Sequence, residues 1–379
     1  MHLFSINTST ALAALFIFSY NAMVNSSEAY VIDSPAARYP AATGVLPPQS
    51  SPLSLEDLLG VVKKERKRPE IESLSWCPQG HNTWRWKGND INYIEMGDPS
   101  KPALLLIHGF GVSSYHFRRN IPELAKDYHV YAFDMLGFGC SSMPLQDYEP
   151  EVWRDQTVDF IAEVIGKPTA IAGNSLGGLT ALYASSMEKV KPLVTGCILL
   201  NAALRFKGHS NLQAFLSRAS SSSSSSDVDA PKNEILDKIW GFFQRLVLNA
   251  SFAHSKTPEA IEKVLRKLYA VSQLHVDDEL IESIQHSSRQ ENAREIYYRV
   301  LSKNGPGTNV FADDLLAKLE CPLLLCWGTK DPCFKTTSCD KIQALYRKTI
   351  RMDINAGHCP HDEAPFETNA AIRYFMATL

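Results

Sequence analysis

Three things are scarce in this chain of 379 residues, and each scarcity excludes a class of protein. Among its eight cysteines no pair has CxxC spacing. A chain of this size needs no covalent staples, so neither a zinc site nor a disulfide framework is indicated. Cys333 and Cys339 are left as candidates for pairing in an oxidising compartment, and Cys321 and Cys326 bracket an apolar strand and read as buried thiols. Basic excess is also absent: 38 Lys and Arg against 41 Asp and Glu give a formal charge of -3, which argues against a nucleic-acid partner. The cluster KKERKR, Lys63 to Arg68, reads as the solvated end of a helix, because nothing aromatic or Gly-rich accompanies it. The third absence is an apolar run long enough to span a bilayer. ALAALFIFSY, Ala11 to Tyr20, is too short for that and has the size of a signal-peptide core.

Ser27-Glu28-Ala29 then places small residues where a signal peptidase reads, so residues 1–29 are expected to be a signal peptide, although MHLFSINTST lacks Lys or Arg. Residues 30–52 are rich in Ala, Pro and Ser with few charges. They resemble the second half of the two-part leader of algae with complex plastids, in which an aromatic residue, here Tyr30, opens a transit peptide. Delivery to the plastid is the expectation, with secretion or the endomembrane lumen as the alternative. Residues 53–83 form an N-terminal extension.

From Trp84 the pattern becomes regular. WRWK, the turn residues GND and INYIEM read as a β-hairpin. ALLLIHGFG, HVYAFDMLGFG, TAIAGNSLGG and GCILLNAA are short apolar strands, most of them running into Gly-rich turns. Amphipathic stretches such as EVWRDQTVDFIAEVIG lie between them. This alternation predicts an α/β fold, a mostly parallel sheet covered by helices on both faces, over residues 84–203 and 314–379. Between them, residues 204–313 show no strand pattern and read as a helical lid. TPEAIEKVLRKLYAVS, opened by Thr257 as N-cap and Pro258 at the first helical position, and DDELIESIQHSS are its clearest helices. Ser220 to Ser226 form an unbroken serine run, too polar to pack, and are expected to be a flexible loop. The helix from Ile235 is apolar over more than a narrow stripe, which makes Trp240 and Phe243 candidates for the wall of a lipophilic pocket.

Gly173-Asn174-Ser175-Leu176-Gly177 has the form G-x-S-x-G between a predicted strand and a predicted helix. That setting raises the serine on a sharp turn where only small neighbours fit, and it makes Ser175 the candidate nucleophile. A serine needs a base, itself oriented by an acid, and the chain order for this elbow is Ser, then Asp or Glu, then His. Asp331, in the turn GTKDP, and His358, in NAGHCPHDE, both follow predicted strands. The other acid position, after the preceding strand, reads Asn201-Ala202-Ala203 and holds no carboxylate. Asp353 lies within a strand and Asp340 in a helix. His361 is the rival base, one helical turn further on, with a capping or packing role the better reading. The spacing of His358, His361, Asp362 and Glu363 matches no common zinc site, and no metal or cofactor is expected. Backbone N–H groups of Phe110 and Leu176 are the expected oxyanion donors. His108 is expected to brace its loop, and Asp134 to stabilise a turn.

Together these motifs resemble the α/β-hydrolase superfamily from about Trp84 to the C-terminus. VWRDQTVDFIAEVIGKPTAIAGNSLGGLTALYAS, NAGHCPHDEAP and HGFGVSSYHFRRNIPELAKDYHVYAFDMLGFG look like the pheophytinases and their cyanobacterial relatives, although plant members tend to have Pro where this chain has His108. The resemblance implies removal of phytol from pheophytin through an acyl-enzyme on Ser175. The expected partner is a lipophilic ester substrate, with peripheral association at the thylakoid surface. A chlorophyll dephytylase or a lipid or carboxyl esterase of the same fold is the near alternative, and a non-catalytic ligand-binding member the distant one.

Overall fold

A computed structural model describes residues 81–207, 252, 256–301 and 310–379. The two leader segments, nearly all of the extension, the serine run, Trp240 and Phe243 lie outside the described residues.

An eight-stranded sheet of order β1-β2-β4-β3-β5-β6-β7-β8 organises the chain. The first two strands, β1 (His81–Trp86) and β2 (Asn89–Met96), form the expected hairpin. The hairpin begins three residues before Trp84, and its turn is Lys87-Gly88, with Asn89 and Asp90 already in the second strand. Both turn residues have positive φ, 45° and 82°, which matches the right-handed twist of paired strands. The strands β3 (Ala103–Ile107), β4 (His129–Phe133), β5 (Thr169–Asn174), β6 (Val194–Leu200), β7 (Leu323–Gly328) and β8 (Thr349–Ile354) are mutually parallel.

Alternation along each strand divides the core. Leu105, Ile107, Phe133, Ile171, Leu199 and Leu325 face one layer of helices. That layer contains α1 (Pro150–Phe160), which runs on through a π-helical turn to Ile165, α2 (Leu176–Ser185) and α3 (Thr337–Leu345). Leu104, Leu106, Ala132, Ala172, Ile198 and Leu324 face the other layer, with α4 (Pro365–Met376) and the short helix Ile121–Leu124. Both faces being covered explains why β3, β4, β5 and β7 are buried throughout and read as continuous apolar runs.

The described part of the insertion between β6 and β7 is helical. Its elements, named for the insertion, are αA (Pro258–Leu268), αB (Asp278–Arg289) and αC (Ala293–Leu301). The Thr257 side chain caps αA by accepting from the Ala260 N–H, but the helix stops at Leu268, four residues short of the sequence pattern. The third helix was not apparent from the pattern. Ile261, Leu265, Tyr269, Val276, Leu280 and Ile281 form a separate small core, and Cys359 of the main domain belongs to it. No helix among the described residues is long and apolar enough to cross a membrane.

Candidate active site

The chain leaves β3 toward β4 on one side, then crosses back to β5 on the other, so the sheet order reverses between β3 and β5. Loops after two such strands diverge and leave a crevice at their carboxyl ends. The His108–Gly111 turn follows β3 and Ser175 follows β5. A Cβ placed on Gly109 would stand 3.4 Å from the Ser175 Cβ, so the two loops touch.

Ser175 sits at φ 55°, ψ -116°, a conformation that L-residues adopt only under constraint. The constraint is visible. Its N–H donates to Leu200, and its carbonyl accepts from Gly178, Leu179 and Ala203. The turn is tight enough that a Cβ on Gly173 would lie 2.0 Å from the Gly177 carbonyl oxygen, and one on Gly177 would lie 2.2 Å from that of Ile107. AGNSLGG is therefore a rigid elbow. Leu176 is the first residue of α2, so its N–H has no acceptor within the helix and points beyond its N-terminus. Phe110 lies in the touching loop, at the same end of the sheet as Ser175.

His358 follows β8, and its Nδ1 lies 2.9 Å from Asp331 Oδ2. The pair is almost fully enclosed. The elbow holds this loop directly: Asn174 Nδ2 donates to the His358 carbonyl at 3.0 Å as well as to the Leu200 carbonyl. The structure thus brings Ser175, Asp331, His358, Phe110 and Leu176 to one end of the sheet. Trp240 and Phe243, as noted, are outside the described residues.

Asn201, at the strand end that lacks a carboxylate, contributes in another way. Its Nδ2 donates to Asp331 Oδ2 at 2.6 Å, and its Oδ1 accepts from the Gly328 N–H at 2.8 Å. The Cys333 N–H donates to Asp331 Oδ1 at 2.7 Å. Both carboxylate oxygens are thereby fixed and one of them is aimed at the imidazole. Replacing Asn201 by alanine removes a bond to a charged group worth ~1.5–3 kcal/mol, so kcat on a soluble ester is expected to fall about 10- to 100-fold with KM nearly unchanged. An equal rise in KM would show instead that the loop had collapsed.

Asp331, Cys333 and His358 also bring three ligand-type atoms within 4.8 Å. Both oxygens of that carboxylate already accept N–H bonds, Oδ2 from Asn201 and Oδ1 from Cys333. Cys333 and Cys339 do not form a disulfide with each other, and no disulfide joins the described cysteines. His361 is packed between His116 and Phe117, with ring centroids at 4.5 and 4.6 Å. Burial, aided by His358 and Arg118, lowers its pKa to about 3, so it stays neutral. Asp353 lies in β8 and Asp340 in α3, and both pair with Arg351. His108 Nε2 accepts from the Met135 N–H at 2.9 Å, so its proton is on Nδ1 and donates to the Gly109 carbonyl at 2.7 Å. Burial holds the pKa of this imidazole below its usual value. Asp134 accepts from the Ser114 and Cys140 N–H groups and from Asn92, which fastens two loops.

The insertion is bolted to the His358 loop. The His358 N–H donates to the Leu268 carbonyl, and Tyr269 Oη donates to Asp362. One Glu363 oxygen accepts from Val271 and Ser272 and the other from Gly357. Fully buried Arg118 reaches Asp277, the His275 carbonyl and Asp362. Burial pushes the Asp362 carboxyl upward, and Arg118 opposes it.

With this geometry in place, residues 104–371 match the Alpha/beta hydrolase family. The chain belongs to that family. This alpha/beta hydrolase is similar to the chloroplastic pheophytinase of Arabidopsis thaliana, at 28% identity, with 79% of the chain and 66% of that relative covered. The chain therefore spans slightly less than two thirds of that relative's length. It is also 28% identical to epoxide hydrolase 3 of Xenopus tropicalis, covering 81% of the chain and 80% of the relative. Among solved structures, a bacterial membrane phospholipase A matches with TM-score 0.59 and 25% identity, over 85% of this alpha/beta hydrolase and 90% of that chain.

Proposed function

We propose that the protein is a serine ester hydrolase that removes phytol from pheophytin. The observation that carries the ester chemistry is the His358–Asp331 pair at 2.9 Å, tied through Asn174 to a strained Ser175. With Nδ1 committed to Asp331, the imidazole takes the Ser175 proton through Nε2. Ser175 Oγ attacks the ester carbonyl, and the oxyanion accepts from the Phe110 and Leu176 N–H groups. His358 gives the proton to the departing phytol oxygen. It then activates water, which cleaves the acyl-enzyme and releases pheophorbide. Asp331 holds the imidazole tautomer and stabilises its cation.

Serine at the elbow favours this reaction over the epoxide opening performed by one of the relatives. A serine that opened an epoxide would form an ether, with no carbonyl for water to attack, whereas a serine ester turns over. The pheophytinase similarity and the apolar cavity beside Phe110 support a lipophilic substrate. The chloroplastic setting of that relative supports a plastid location, with the thylakoid surface as the source of substrate.

The test is incubation of the protein with pheophytin, chlorophyll and a short-chain nitrophenyl ester, followed by chromatography of pigment and phytol. Pheophorbide and phytol are expected from pheophytin. Phytol released only from chlorophyll, or cleavage of the short ester alone, would overturn the substrate assignment in favour of a dephytylase or a general esterase.

A further inference from the structure

Between the His108–Gly111 turn and the insertion lies a cavity of ≈ 160 Å³. Phe110 and Phe138 form its core side, and Leu265, Ile284, Ala293 and Tyr297 close it from αA, αB and αC. Its polar lining is largely spent on the protein itself. Ser287 Oγ accepts from the Gly139 N–H at 3.0 Å, and Ser288 Oγ donates to the Gln285 carbonyl at 2.8 Å. Lys256, the one formal charge among the described lining residues, holds its ammonium 5.9 Å from the Phe252 ring centroid. A polar group entering here would lose water and gain little in return, whereas hydrocarbon would gain contact with the apolar lining.

Size narrows the occupant. A protein cavity of ~150 Å³ takes up benzene, so this one has room for about six to eight carbons. A tetrapyrrole macrocycle is several times larger. Phe110 connects the cavity to the chemistry, because it both lines the cavity and carries an N–H assigned to the oxyanion. Whatever fills the space therefore lies beside the loop that carries that N–H.

We infer that this cavity is a chain subsite, which grips the first six to eight carbons of the unbranched or branched alkyl group next to the ester, while the macrocycle stays outside it. The inference rests on the ester-hydrolase reading for its orientation, but the binding step is separable from turnover. Selectivity at this subsite then follows the hydrocarbon chain, with Ala293 and Ile284 setting its depth.

The experiment is calorimetric titration of the Ser175→Ala protein, which cannot turn over, with n-alkanols from butanol to decanol. Affinity is expected to rise about fourfold per methylene up to six to eight carbons and then to level off. Ala293→Leu should bring the break to shorter chains, and Ile284→Ala should move it to longer ones. The opposite displacements distinguish depth from general loosening of the fold, which would weaken every alkanol alike. Absence of chain-length dependence, or a break that neither substitution moves, overturns the inference. Alkanol binding with the expected break, in a protein whose wild type leaves pheophytin intact, would refute the pheophytin assignment and keep the subsite.

Discussion

Ser175→Ala is expected to lower kcat by about four to six orders of magnitude, because nucleophile and base act as a unit and the loss of one disables both. The fold should be untouched. What holds the elbow is backbone: the Ser175 N–H on Leu200, its carbonyl shared by Gly178, Leu179 and Ala203, and the glycine contacts around it. None of these involves the hydroxyl. Thermal unfolding should therefore stay close to that of the wild type while hydrolysis disappears. Covalent labelling by an organophosphate should disappear with it, checked by intact-mass measurement. Activity within tenfold of wild type would remove Ser175 as the nucleophile and reopen the non-catalytic reading.

Asp331→Asn should lower kcat by about 10⁴ with little change in KM. The hydrogen-bond pattern makes the outcome unusually severe. Asp331 Oδ2 accepts from both Asn201 and His358, and Oδ1 accepts from Cys333. An asparagine that turns its NH₂ toward Oδ2 faces the Asn201 amide and forces His358 Nδ1 to accept. The imidazole proton then sits on Nε2, the atom that must act as base. An asparagine turned the other way meets the Cys333 N–H. Neither orientation satisfies all three donors, and the negative charge that stabilises the imidazolium is gone in both. Kinetics on a soluble ester, together with the imidazole nitrogen shifts by NMR, would read the tautomer directly. A variant retaining a tenth of wild-type kcat would show that Asp331 is not the orienting acid.

What could be read in advance follows from how each residue earns its place. ALLLI, TAIAGN and LLLCWG are legible as parallel strands because covering both faces leaves no polar alternation, and Ser175, Asp331 and His358 are candidates in the sequence because each lies in the turn that follows a predicted strand. The hairpin turn moved to Lys87-Gly88 because strand pairing can extend through Asn89 and Asp90 once two positive-φ residues close the loop. Asn174, Asn201, Glu363 and Arg118 carried no such signal. Their partners lie 184, 130, 92 and 159 positions away, and a single Asn or Arg has no periodicity to betray it. Position 201 could have been recognised only by asking what a polar side chain at a strand end does when it is not an acid. Trp240 and Phe243, the expected substrate wall, lie outside the described residues, and the described cavity is lined by αA, αB and αC together with Phe110 and Phe138.

The fastening of residues 268–277 to the His358 loop bears on how such enzymes can be recombined. Cutting a relative's helices at the chain junctions near 204 and 313 and transplanting them would separate Tyr269 from Asp362 and Asp277 from Arg118. The recipient would keep the buried Arg118–Asp362 pair but lose the Tyr269 and Asp277 bonds to it, each a bond to a charged group worth ~1.5–3 kcal/mol. It would also free the Gly357–His358 backbone, which Leu268 and Glu363 hold in place. A viable chimera must therefore carry residues 115–119 and 357–363 along with the helices. The natural unit of exchange runs through three distant stretches of sequence, and substitutions within it should be inherited as a set.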